Sequence, residues 1–124
     1  MDKVVHFEVP FEDGDRARTF YREAFGWQLG SVPGMEYTMA TTTDTDDQGR
    51  PTEPGAINGG MFAREQPFTG PVLIMGVDDI DDKLAQIEKA GGTVAVPRQP
   101  VGDMGYCAYF HDTEGNLLGI WQNA

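Results

Sequence analysis

Val72 to Thr93 reads VLIMGVDDIDDKLAQIEKAGGT, and this stretch sets out one structural unit in order. Val72 to Val77 is an apolar run and makes a strand. Asp78 and Asp79 offer caps, because a carboxylate accepts the unpaired backbone N–H groups at a helix start. Ile80, Leu84 and Ile87 then fall on one helical stripe. Gly91-Gly92 ends the helix, and Thr93 to Val96 starts a short strand.

Upstream the same order runs from the beginning of the chain. Lys3 to Val9 alternates as a strand, with Val5, Phe7 and Val9 on one side and Val4, His6 and Glu8 on the other. Asp13 or Asp15 can cap the next helix. Its stripe is Ala17, Phe20, Tyr21 and Ala24, and Gly26 stops it. Glu23-Ala24-Phe25-Gly26-Trp27 overlays Lys89-Ala90-Gly91-Gly92-Thr93. Glu36 to Thr42 and the glycine-interrupted Ala56 to Arg64 complete the first unit. The polar segment Asp44 to Gly55 between them is expected to be mobile, and Pro67 to Pro71 reads as a linker. Downstream, Tyr106 to His111 and Asn116 to Gln122 are strands joined by Asp112-Thr113-Glu114-Gly115-Asn116, where Gly115 can take positive φ. A pattern repeated at half the chain length predicts two βαβββ units, about residues 1–65 and 72–124. The expected fold is α+β. The two units form one curved mixed sheet in a single domain, 1–124, with helices outside and a cup-shaped cavity.

The 124 residues carry 9 Lys+Arg against 20 Asp+Glu, a net charge of −11. Nucleic acid and anionic membrane surfaces are excluded as partners, since both are bound through cations. The longest apolar run is far shorter than the roughly 20 residues that span a bilayer. Met1 to His6 has no secretion-signal character. Cys107 is the single cysteine and has no partner for a disulfide or a paired metal site. A cytoplasmic location is expected.

His6-Phe7-Glu8-Val9-Pro10, Phe20-Tyr21-Arg22-Glu23-Ala24-Phe25-Gly26-Trp27, Val77-Asp78-Asp79-Ile80-Asp81, Gly91-Gly92 and the run from Asp112 to Gln122 together resemble the vicinal oxygen chelate superfamily. That superfamily includes glyoxalase I, bleomycin- and fosfomycin-resistance proteins and extradiol dioxygenases. The resemblance implies a cup whose inward strands hold a divalent metal, with ligands on the first and last strands of each unit. It also implies a homodimer. Carried onto this chain, the four ligand positions are His6, Val72, Gly119 and the neighbourhood of Gly59-Gly60-Met61. Valine and glycine have no side-chain donor, and zinc needs three or four protein ligands. The expectation is therefore no cofactor and no metal site, with His6 as the one matching ligand. The carboxylate missing at Gly119 should leave open volume.

His6 is read as a pocket-wall histidine or, with Glu8 on the same face, as a general base. Tyr37 and Met39 alternate with Thr38 and are expected to line the ligand pocket. Cys107 and Tyr109 should face away from Phe110, which packs under the helix, and Leu117 and Trp121 should share the Gly119 face. Trp121 equally suits an interface, and Trp27 suits the core. Asp78, Asp79, Asp81 and Asp82 lack the loop of a calcium site and read as helix-start acids. No glycine cluster has the setting of a phosphate loop. The function expected is binding of a small apolar or aromatic molecule without the family's usual metal. The alternative is a superfamily enzyme of lyase, isomerase or dioxygenase type, with a rebuilt metal or acid/base site around His6 and Glu8.

Overall fold

The structure, a computed structural model, describes residues 1–124. It has eight strands and two helices: β1 (Lys3–Phe11), α1 (Gly14–Phe25), β2 (Gln28–Ser31), β3 (Thr38–Thr41), β4 (Gly59–Ala63), β5 (Val72–Gly76), α2 (Ile80–Lys89), β6 (Thr93–Val101), β7 (Gly105–His111) and β8 (Leu117–Asn123). They sort into two compact units. His6–Pro71 is the N-terminal unit, and Val72–Ala124 joined by Met1–Val5 is the C-terminal unit. The division falls inside β1 rather than at its start, and Asp2 on the C-terminal unit's side pairs with Lys83 of α2 at 2.7 Å.

In the N-terminal unit the strand order is β2-β3-β4-β1. The β1–β4 pair is parallel, whereas β2–β3 and β3–β4 are antiparallel. Asp13 caps α1 by accepting the Arg16 N–H, and Gly26 closes it in the left-handed region at φ 72°. Beneath the helix Thr38, Ala40 and Met61 are buried. The helix itself buries no residue. Its stripe is amphipathic as expected, yet Phe20 is 56% and Phe25 64% exposed. These rings pack on each other and on Tyr21, which stacks against Trp27 at 4.6 Å. Trp27 therefore belongs to a half-exposed aromatic cluster and not to the core. The segment 44–55 is tied by its own bonds, the Asp46 carboxylate accepting from Gln48 N, Arg50 N and Arg50 Nε.

In the C-terminal unit the order is β5-β8-β7-β6. Asp79 caps α2, accepting from Asp82 N at 2.9 Å, and Gln122 Oε1 accepts from Ile80 N at 2.8 Å. Ile80 and Leu84 meet Ala108, Phe110 and Ile120 in a continuous buried core, with Ile87 packed against it. The turn before β8 is built by Asp112, whose carboxylate accepts from Glu114 N, Asn116 N and Asn116 Nδ2. Gly115 sits there at φ 81°. β6 runs past the expected Thr93–Val96 to Val101, with two register irregularities. It is the outermost strand of this unit, which is where Pro97 and Pro100, lacking an N–H, are tolerated.

Candidate functional site

β1 alternates, so His6 and Glu8 share a face. The β1–β4 register sets Glu8 opposite Gly60, and the β3–β4 register sets Gly60 opposite Met39. Glu8, Gly60 and Met39 therefore lie on the face opposite Phe7, Gly59 and Ala40. Tyr37 folds onto the first of these faces. A Cβ at Gly60 would fall on the Tyr37 hydroxyl, so only glycine leaves this ring its place.

The hydroxyl links the two candidate catalytic residues. Tyr37 donates to Glu8 Oε2 at 2.7 Å and lies 2.8 Å from His6 Nε2. Tyrosine has one proton. With that proton directed to the Glu8 carboxylate, the phenolic oxygen accepts from His6 Nε2–H, which assigns the tautomer and leaves Nδ1 as the bare nitrogen. Glu8 is 4% exposed, so it is no solvated edge residue. Burial holds the His6 pKa at about 4, against 6.5 for a free imidazole, and the ring is neutral at pH 7. The array can hold a polar atom of a ligand or pass a proton along His6–Tyr37–Glu8. Nothing in the spacing of the sequence pointed to Tyr37 as the link, because the contact spans 29 residues from Glu8 and 31 from His6.

Met39 shares the face but is 39% exposed. Tyr37 also borders a cleft of about 270 Å³ in the same unit, together with Arg18 and Thr38.

In the C-terminal unit the β7–β8 register pairs Cys107 with Trp121, Tyr109 with Gly119 and His111 with Leu117. Cys107, Tyr109, Leu117 and Trp121 thus share the face opposite the α2 core, and all four are half-buried. Trp121 Nε1 donates to Asn123 Oδ1 at 2.8 Å, and its ring lies where a Cβ on Gly105 would point. The expected open volume at Gly119 is not there. A Cβ on that residue would lie 3.0 Å from Ile74 Cγ1 and 3.1 Å from the Tyr109 ring. The sequence reading treated glycine as a hole, whereas neighbouring side chains have moved in.

The four ligand positions implied by the resemblance can now be tested for fit. His6 bonds Tyr37 through Nε2. Val72 is apolar and buried, Gly119 is backed by Ile74 and Tyr109, and Gly60 is backed by Tyr37. No three His, Cys, Asp or Glu side chains come together as a potential metal site. The residues present do not fit the superfamily's metal.

Residues 3–43 match the family model described as "Bleomycin resistance protein-like N-terminal". A "Glyoxylase-like domain-containing protein" of Didymella fabae is 31% identical over 124 residues, covering 95% of this chain and 91% of that protein. The Mycobacterium tuberculosis protein named "Putative glyoxylase CFP32" is 30% identical over 115 residues, which is 89% of this chain and 41% of that protein. The chain thus spans about two-fifths of the length of its mycobacterial relatives. Among solved structures, Streptomyces coelicolor methylmalonyl-CoA epimerase in complex with 2-nitronate-propionyl-CoA superposes with a TM-score of 0.69 at 20% identity, covering 98% of this chain and 97% of that one. The chain belongs to the glyoxalase/bleomycin-resistance-like family of the vicinal oxygen chelate superfamily.

Proposed function

We propose that this protein binds a small apolar or aromatic molecule without the superfamily's divalent metal. One observation carries the reading. Three of the four implied ligand positions hold no donor, and at Gly60 and Gly119 a neighbouring side chain stands where a ligand side chain would have to start. What remains on the faces opposite the helices is apolar and aromatic surface with a few polar groups, which is the make-up of a small-molecule site. In the N-terminal unit Tyr37 and Met39 lie on that face, and in the C-terminal unit Cys107, Tyr109, Leu117 and Trp121 do. The Streptomyces coelicolor epimerase of the same fold is solved with 2-nitronate-propionyl-CoA, which supports a small organic ligand here as well. The protein works as a cytoplasmic homodimer on this reading. No helix is long and apolar enough to cross a membrane.

A thermal-shift screen of aromatic and apolar compounds in the presence of EDTA tests the proposal. Hits are expected to raise Tm equally with and without chelator. Hits that appear only after Zn²⁺ or Ni²⁺ is restored overturn it.

A second reading is favoured by the His6–Tyr37–Glu8 array: acid/base chemistry at that face. It predicts that His6→Ala abolishes turnover while the circular dichroism spectrum is retained. Unchanged turnover in His6→Ala removes it.

A further inference from the structure

The cleft in the N-terminal unit meets the His6–Glu8 face at Tyr37, and neither His6 nor Glu8 lines it. Its walls include Phe11, Arg18, Met35, Glu36, Thr38 and Ala63. Arg18 is the one cation among its lining residues, and its side chain is only 27% exposed. Three contacts hold the guanidinium in place. It lies 5.8 Å over the Phe11 ring centroid, Nη1 donates to Thr38 Oγ1 at 3.3 Å, and Nη2 donates to Asp15 Oδ1 at 2.7 Å. Gly14 leaves the room, since a Cβ there would stand 2.8 Å from Nη1.

Guanidinium has five N–H donors, and these bonds use two. No buried side-chain nitrogen in the chain lacks a partner, so Nε, which makes none of these bonds, reaches accessible surface. The Asp15 side chain is 97% exposed, and an ion pair that exposed contributes little and is readily exchanged. A bidentate carboxylate is the planar acceptor that such a fork fits. Phe11, Met35 and Ala63 supply apolar wall beside it. Glu36 disfavours a second negative charge on the same ligand.

We propose that this cleft binds a small monocarboxylate with an apolar chain, its carboxylate on Arg18 and its chain along Phe11 and Met35. The site shares Tyr37 with the surface proposed above but is carried by Arg18, which that reading does not use.

Hexanoate is the probe, titrated into the full chain while the Arg18 Nε–H resonance and the heat of binding are followed. A saturable shift with hexanoate, and none with hexan-1-ol, is expected. Arg18→Gln should weaken hexanoate by at least about tenfold, and Arg18→Lys should fall between, because it keeps charge and loses the fork. Gly14→Ala, which displaces the guanidinium without removing it, should weaken binding as well and covers the case that Arg18→Gln does not fold. Glu36→Gln should tighten hexanoate and admit adipate, a change no scaffolding role for Arg18 would produce. Equal affinity in wild type and Arg18→Gln, equal binding of hexan-1-ol, or no saturable shift at millimolar hexanoate overturns the proposal.

Discussion

The two βαβββ units use one sequence pattern to opposite ends. In the C-terminal unit, α2 buries Ile80 and Leu84 completely or nearly so in a core with Ala108, Phe110 and Ile120. In the N-terminal unit, α1 is amphipathic but buries nothing, and its aromatic residues pack on one another at the surface. The faces opposite the helices differ as well. The C-terminal one is half-buried apolar and aromatic surface, and the N-terminal one carries the hydrogen-bonded His6–Tyr37–Glu8 array. Repetition of a fold unit does not repeat its energetics. Apolar core concentrates where the helix is covered, and the buried polar side chains, Glu8, Thr38 and Thr43, all lie in the other unit.

Substitutions in the apolar stripes of the two helices give the largest test of that contrast. Ile80→Ala removes a side chain that is 0% exposed and should cost about 2–5 kcal/mol, read by urea denaturation. Phe20→Ala, at a half-exposed position of α1, should cost less than half as much. Equal losses would erase the distinction between the units.

The next effect is pH dependence in the N-terminal unit. Unfolded chain protonates His6 near 6.5, and the folded protein does so only at about 4 because the ring is buried. Across that window the unfolded state binds more protons, so acid pulls the equilibrium toward unfolding. Stability should fall as the pH drops from 6.5 to 4 by about 2–3 kcal/mol more in wild type than in His6→Gln. Denaturation series at several pH values check this, and an imidazole titration by NMR near 6.5 would refute it.

A smaller effect belongs to the link itself. Tyr37→Phe removes the hydroxyl bonded to both His6 and Glu8 and should cost about 1–3 kcal/mol, the usual cost of leaving a buried polar group without its partner. It should leave the C-terminal unit's hydrogen-exchange protection unchanged. Loss of protection in β7 and β8 instead would mean the array is not local to its unit.

Much of the fold was legible because local chemistry writes it. Asp13 and Asp79 do cap the helices, Gly26 does end α1, and the Asp112–Asn116 run closes on the Asp112 carboxylate. The two-residue period of strands placed His6 with Glu8, and Cys107 with Tyr109, on common faces. β2 was missed because Gln28-Leu29-Gly30-Ser31 has little β character and exists through pairing with β3. The exposure of α1 was not legible, since a moment shows an apolar face but not whether anything covers it. Nor was the position of Tyr37, because side-chain contacts across some thirty residues have no local signature. Glycine misled most: Gly119 read as a vacancy, and there, as at Gly60, a neighbouring side chain makes a close approach.

Metal content tests the central claim most directly. The untagged protein is measured by mass spectrometry as purified and after equilibration with Zn²⁺, Ni²⁺, Fe²⁺ and Mn²⁺ followed by desalting. With Val72, Gly60 and Gly119 at the implied ligand positions and His6 bonded to Tyr37, every metal should remain well below stoichiometric. One metal per chain, or one per dimer, retained through desalting would contradict the account.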